Sequence, residues 1–131
     1  MSDGEFRFRP LNLGALPAER VGEVLRRPMP EGNVRFTIPA QKHALKHHPH
    51  TFLGCLPYAA QAVTAPSYIG QSPHHMDGFE HVLKVAVDRV WVLVAIGLRP
   101  TNAGLYLVHS IYQIDANAVG RRVRKGFLVG A

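Results

Sequence analysis

Three β-branched and aromatic segments in the second half of the chain constrain its fold most strongly. They cover residues 79–87, 90–98 and 105–114. Asp88 and Arg89 separate the first two segments, and a proline- and glycine-containing stretch at residues 100–104 separates the last two. These are turn-forming residues in short connections, so consecutive strands are expected to pair antiparallel. The sequence therefore predicts a β-meander.

Helical patterns dominate the first half, divided by proline and glycine. The predicted elements are a helix at 17–27, a short strand or extended segment at 34–38, a helix at 39–48, a short helix at 57–63 and a loop at 67–78, with residues 1–15 loosely structured. Pro17 suits the first turn of its helix, and Val21, Val24 and Leu25 give that helix one apolar stripe. Pro49 ends the second helix, because a residue before proline avoids the α conformation.

The C-terminal part adds one more helix. Asp115 is predicted to cap it, and Gly126 to end it. Helices followed by strands predict an α+β domain with N-terminal helices, an antiparallel sheet of about four strands, and a basic C-terminal helix. A length of 131 residues suits one domain. Residues 1–33 are interpreted as an extension with one helix, and residues 34–126 as the core.

Charge and cysteine content narrow the classes of function. The net charge is +6, with 15 lysines and arginines against 9 acids, which favours a polyanionic partner such as nucleic acid. The single Cys55 excludes an internal disulfide and a cysteine-rich metal site, and is interpreted as a small buried hydrophobe. The early acids suggest no signal peptide, and the longest apolar run, residues 90–98, is too short to span a membrane. We therefore expect a cytoplasmic protein with no membrane partner. It would leave its cell only by means of a delivery system or a fused domain.

Histidines on the second predicted helix are the first candidate for chemistry. His43 and His47 are four residues apart and share one helix face, and His48 is rotated by about 100°. Lys42 and Lys46 add positive charge. Histidine can accept or donate a proton near neutral pH, so this pattern favours acid–base cleavage of RNA by its own 2′-hydroxyl.

Two other interpretations of these histidines remain open. A zinc site could use His43 and His47 with His74, His75 or Asp77, although Ala44 stands where the zincin motif has glutamate. Alternatively, the helix is a solvated surface with no chemical role.

Ser110 and Tyr112 form the second candidate group. They are two apart on a predicted strand, so both side chains face the same way, together with Tyr106 and Val108. A hydroxyl can bind a phosphate oxygen, and an aromatic ring can stack on a base. His109 is predicted to face the other side as a partly buried structural histidine.

Lys84 is a weaker candidate. It is a possible phosphate contact, although a solvated surface lysine is the favoured interpretation. For Ser110 and Tyr112, the alternative to a role in binding is an ordinary half-exposed strand with amphipathic residues.

The order of these features resembles that of a known group of nucleases. A helix ends in Lys46-His47-His48-Pro49, the turn Ala65-Pro66-Ser67-Tyr68-Ile69-Gly70 follows, and the last of three strands contains Ser110-Ile111-Tyr112 before a basic helix. This is similar to phage-encoded domains of the barnase–EndoU–colicin–RelE superfamily and to colicin-type nucleases that cut tRNA anticodon loops. The similarity covers about residues 34–126.

The resemblance implies roles for individual residues. Lys46 matches the lysine before the catalytic histidine, His47 matches that histidine, and Ser110 and Tyr112 match a serine–aromatic pair. The chain departs from the pattern in two places: Ala44 stands where a second lysine is expected, for which Lys42 or His43 would substitute, and Tyr112 replaces tryptophan. His48 is the alternative catalytic histidine, because the phage domains often have a His-Pro pair here.

Together, these features predict a metal-independent endoribonuclease that forms a 2′,3′-cyclic phosphate and requires no cofactor. The catalytic set is His43, Lys46, His47, His48, Ser110 and Tyr112, and the substrate-binding set is Lys42, Lys84, Arg121, Arg122 and Arg124. The resemblance implies RNA as substrate, with tRNA as the candidate among RNAs, and a cognate antitoxin or immunity protein with an acidic face. The alternatives are a non-catalytic module that binds nucleic acid or protein, an ADP-ribosyltransferase-like effector, and a histidine-rich metal protein.

Overall fold

The computed structural model describes residues 6–71, 74–87 and 90–131 as a mixed α+β fold around one sheet. The strands are β1 (Leu11–Ala15), β2 (Asn33–Phe36), β3 (Tyr68–Gly70), β4 (Gly78–Val85), β5 (Val90–Gly97), β6 (Tyr106–Ile114) and β7 (Leu128–Gly130), and the helices are α1 (Ala18–Leu25), α2 (Ile38–His47), α3 (Phe52–Cys55), α4 (Ala59–Thr64) and α5 (Ala116–Arg124). A 3-10 turn at Leu56–Tyr58 joins α3 to α4. Among the described residues, no helix is long and apolar enough to cross a membrane.

The sheet has seven strands in the order β1-β2-β6-β5-β4-β3-β7. The predicted meander is confirmed, because β4 pairs antiparallel with β5 and β5 with β6. Among the strand pairs that the described residues form, only β2 and β6 run parallel, at Val34–Tyr106 and Arg35–Leu107. The predicted turn at Asp88 and Arg89 lies outside the described residues.

The prediction of about four strands, preceded by helices, was wrong in count and in order. The chain enters the sheet first through β1, inside the segment expected to be loose, and β3 lies inside the segment expected to be a loop. The third missed strand, β7, is three residues long. β3 and β7 pair with each other, and β3 also pairs with β4. Such short strands form because distant neighbours supply the ladder hydrogen bonds, which local alternation does not reveal.

The predicted helices are present, with ends shifted by one or a few residues. Thr37 caps α2, and its hydroxyl accepts a hydrogen bond from the Ala40 N–H at 3.3 Å. The predicted caps of α5 are confirmed, because the Asp115 carboxylate accepts from the Ala118 N–H at 2.7 Å and Gly126 has a φ of +78° just beyond the helix. The four-residue α3 was missed.

Apolar side chains pack on both faces of the central strands. The larger core lies on the side of α2, α3 and α4 and includes Phe36, Phe52 and Val94, together with the buried Cys55. A smaller core on the opposite side includes Leu93 from β5 and Val119 from α5. Because β5 is buried on both faces, its sequence is a continuous apolar run rather than an alternating one.

A β-bulge in β6 changes which side chains share a face. Ser110 pairs with Ala95, whereas Val108 pairs with Ile96, so His109 is an extra residue between them. An extra residue reverses the alternation of side chains along the strand. Tyr106 and Val108 are therefore buried in the larger core rather than sharing a face with Ser110, which corrects the prediction.

Candidate functional site

A cavity of about 430 Å³ lies between the C-terminal end of α2 and the central strands, and we call it the histidine cavity. The parallel pairing of β2 with the beginning of β6 brings the following helix, α2, against β6. The lining residues are His43, His47 and His48 from α2, His75 and Asp77 from the loop before β4, Gly78, Phe79 and Glu80 from β4, Ala95 from β5, and His109, Ser110 and Tyr112 from β6. Five of the six predicted catalytic residues thus line one cavity.

His48 is the most deeply placed of the α2 histidines in this cavity. It caps the C-terminus of α2, where its backbone N–H donates to the Ala44 carbonyl at 2.8 Å. Its ring stacks on that of Tyr112, with centroids 4.5 Å apart and planes 20° apart. Burial lowers the pKa of His48, and the positive charges of His47 and His43 lower it further. The neutral ring, which accepts a proton, is therefore favoured at neutral pH.

His43 and His47 form an exposed pair beside His48. Their ring centroids are 4.3 Å apart, as their spacing of four residues on a helix requires. Both rings line the histidine cavity.

A partly buried ion pair lies at the opposite wall. Glu80 is 5% exposed, and its Oε1 accepts from Arg122 Nη1 at 2.8 Å. Burial and the Glu80 carboxylate raise the pKa of Tyr112, while Arg122 opposes the rise. Tyr112 therefore remains a neutral phenol that can donate a hydrogen bond. Arg122, which the sequence suggested as a phosphate contact, is paired with Glu80.

The remaining predicted residues lie away from the lining. Lys46 is exposed on α2, and the Lys42 amine lies 5.8 Å from the centroid of the Phe8 ring. The Lys84 amine lies 5.5 Å from the centroid of the Trp91 ring. Along β4, the Lys84 backbone is four residues from Glu80, which corresponds to about 13 Å. Arg121 and Arg124 are exposed in the last turn of α5.

Sequence reasoning missed the roles of His75, Glu80 and His109 in lining this cavity. An acid such as Glu80 inside an apolar strand is a signal, because a buried charge requires a partner. His75 and Asp77 were considered only as zinc ligands. His109 was predicted to be partly buried and to face away from Ser110, which is wrong: it is exposed and lines the same cavity, because the bulge turns it.

The part of the chain that the structure describes contains no group of three or more histidine, cysteine, aspartate or glutamate side chains arranged to hold a metal ion. The zinc set in which His74, His75 or Asp77 joins His43 and His47 is therefore not formed there.

Comparisons with known proteins give no further assignment: no protein family, no curated protein and no solved structure matches this chain.

Proposed function

We propose that the histidine cavity is the active site of an endoribonuclease that cleaves RNA by attack of the 2′-hydroxyl. One observation supports this most directly. The histidines of α2 and the Ser110–Tyr112 pair, which are about sixty residues apart in the chain, line the same cavity, and His48 stacks on Tyr112. A proton acceptor and hydroxyl donors in one small cavity suit phosphoryl transfer.

His48 is the general base in this mechanism, because its pKa is lowered and its ring is mostly neutral at pH 7. It takes the proton of the 2′-hydroxyl, whose oxygen then attacks the phosphorus. The bond to the 5′-oxygen breaks, and a second histidine gives that oxygen a proton. The products are a 2′,3′-cyclic phosphate and a 5′-hydroxyl. RNA and the protein supply every atom and proton, and the proposed mechanism uses no metal and no cofactor.

Ser110 and Tyr112 bind the non-bridging phosphate oxygens as charge develops there. Both are hydroxyl donors on one strand face, and the raised pKa of Tyr112 keeps its proton in place. Fixed donors directed at a developing charge are a large source of catalysis. His43 and His47 supply positive charge when protonated, and Lys46, which is exposed on the same helix, adds a further cation outside the lining.

Exposed cations outside the cavity bind flanking phosphates. Arg121 and Arg124 lie in the last turn of α5, on either side of the arginine that is paired with Glu80. When these arginines bind phosphates, counterions are released from the RNA, so binding depends on the salt concentration. With the resemblance to the barnase–EndoU–colicin–RelE superfamily, this charge supports a cytoplasmic RNA substrate, including tRNA. It also supports inhibition by an antitoxin or immunity protein with an acidic face.

The test is cleavage in EDTA of total tRNA and of a defined single-stranded RNA. Wild type is expected to give discrete fragments that end in a 2′,3′-cyclic phosphate. His48→Ala should abolish them, whereas His50→Ala, an exposed histidine outside the lining, should not. Intact RNA at high protein concentration would reject the nuclease for these substrates, and retained binding would then identify a non-catalytic module.

A further inference from the structure

Two paired glycines give His109 a defined position on the sheet. Gly78 of β4 and Gly97 of β5 are register partners. A Cβ atom added to Gly97 would lie 2.8 Å from His109 Nε2, and one added to Gly78 would lie 3.6 Å from His109 Nδ1. The imidazole therefore lies against bare backbone on two neighbouring strands. A side chain at Gly97 would displace it.

The β-bulge explains why this ring is there. His109 is the extra residue of β6 between the pairs Ala95–Ser110 and Ile96–Val108. Bulges redirect side chains and are common beside active sites. Here the bulge gives the histidine cavity both His109 and Ser110, which regular alternation would have placed on opposite faces.

His109 also lies where two cavities meet. A second cavity of about 410 Å³ is lined by Met76, Asp77, Gly97, Leu98, Arg99 and His109. It shares Asp77 and His109 with the histidine cavity. The two cavities are therefore neighbours at His109, with His48 and Tyr112 lining the first and Arg99 lining the second.

We propose that His109 is the general acid that protonates the 5′-oxygen, and that the second cavity holds the nucleotide on the 3′ side of the cleaved bond. This inference rests on the proposed ribonuclease function. In phosphoryl transfer the attacking and leaving oxygens lie roughly in line through the phosphorus. The base and the acid must therefore act from opposite sides of the phosphorus. His48, stacked on Tyr112, suits the base, and His109, at the boundary between the two cavities, suits the acid.

The proton balance is complete with these two residues. His48 gains the 2′-hydroxyl proton as the new P–O bond forms, and His109 loses a ring proton to the 5′-oxygen as the old bond breaks. Exchange with water restores both. In the second cavity, Met76, which is 63% exposed, and Leu98 offer apolar contacts for the departing nucleoside. Arg99 offers a cation for the next phosphate.

The test compares ordinary RNA with the same RNA that has sulfur in place of the bridging 5′-oxygen at the cleaved bond. A thiolate leaves without a proton, so it requires no general acid. His109→Ala is expected to slow cleavage of ordinary RNA by about 100-fold or more but to cleave the sulfur substrate at nearly the wild-type rate. His48→Ala should slow both. Gly97→Ala, which displaces the His109 ring, should behave as a weaker version of His109→Ala.

Each other outcome has a distinct meaning. Equal slowing of both substrates by His109→Ala, or no slowing of either, would overturn the general-acid role while the ribonuclease function stands. Failure of the wild type to cleave either substrate would overturn the ribonuclease function, and the acid role with it. Unchanged thermal unfolding of the His109→Ala protein is the control for folding.

Discussion

Histidines occupy two contrasting regions of this molecule. In the histidine cavity, His43, His47 and His109 are exposed, and His48 is half-buried against Tyr112. His81 is instead fully buried beneath the helices, where its Nδ1 lies 3.0 Å from the Ala62 carbonyl and its Nε2 meets no hydrogen-bond partner among the described residues. The same side chain is thus available for proton transfer in one region and is a neutral core residue in the other. Environment, rather than residue type, identifies the site.

The largest expected difference between the two regions concerns catalysis. His48→Ala is expected to lower kcat/KM for RNA by about 10²- to 10⁴-fold, because it removes the proposed general base. Its free energy of unfolding should change little. Initial rates and urea denaturation measure the two quantities, with His50→Ala as the control. If the loss of activity were explained by unfolding of the variant, His48 would be a structural residue like His81, and the contrast between the two regions would not hold.

A second prediction concerns stability at acid pH. Burial lowers the pKa of His81 from 6.5 to about 4. The unfolded chain therefore binds a proton between pH 6.5 and 4 that the folded chain does not, so stability present above pH 6.5 falls as the pH falls to 4. The loss is roughly 3 kcal/mol.

Urea denaturation at several pH values tests this prediction. His81→Phe, which cannot titrate, should lack that component of the pH dependence. Parallel curves for wild type and variant would contradict the burial of a neutral His81.

A third prediction concerns the histidine cavity and the pH dependence of activity. The general base must be neutral, so kcat/KM should fall on the acid side with a midpoint below pH 6.5, because the pKa of His48 is lowered. Removing the neighbouring charge with His47→Ala should move this midpoint upward, by less than about one pH unit. An unmoved or lowered midpoint would show that His47 does not act on the base.

The smallest effect is expected at the exposed cations of α5. Arg124→Gln should weaken RNA binding only a few-fold and reduce the slope of log K against log salt by about 0.7 for a single strand. Binding titrations at several salt concentrations measure this slope. An unchanged slope would place the RNA path elsewhere.

The central strands could be predicted from sequence because local signals agree there. Long β-branched runs with turn residues between them define β4, β5 and β6, and Asp115 and Gly126 define the ends of α5. The short β3 and β7 could not, since each exists only through pairing with residues far along the chain.

The candidate site divides in the same way. The proximity of His43 and His47 follows from helical spacing, and both Ser110 and Tyr112 were found from strand alternation. The position of His109 depends on a bulge, and the pairing of Glu80 with Arg122 spans 42 residues. The bulge has no local signal, so alternation alone assigned His109 to the wrong face. An acid within an apolar strand indicates that Glu80 needs a partner, but it does not identify Arg122.

The most direct test of the central claim uses two oligonucleotides of identical sequence, one RNA and one with every 2′-hydroxyl replaced by hydrogen. Wild type in EDTA should cleave the RNA to a 2′,3′-cyclic phosphate and leave the deoxy strand intact, because the attacking oxygen belongs to the substrate. Cleavage of both strands, or of neither, would contradict the mechanism assigned to the histidine cavity.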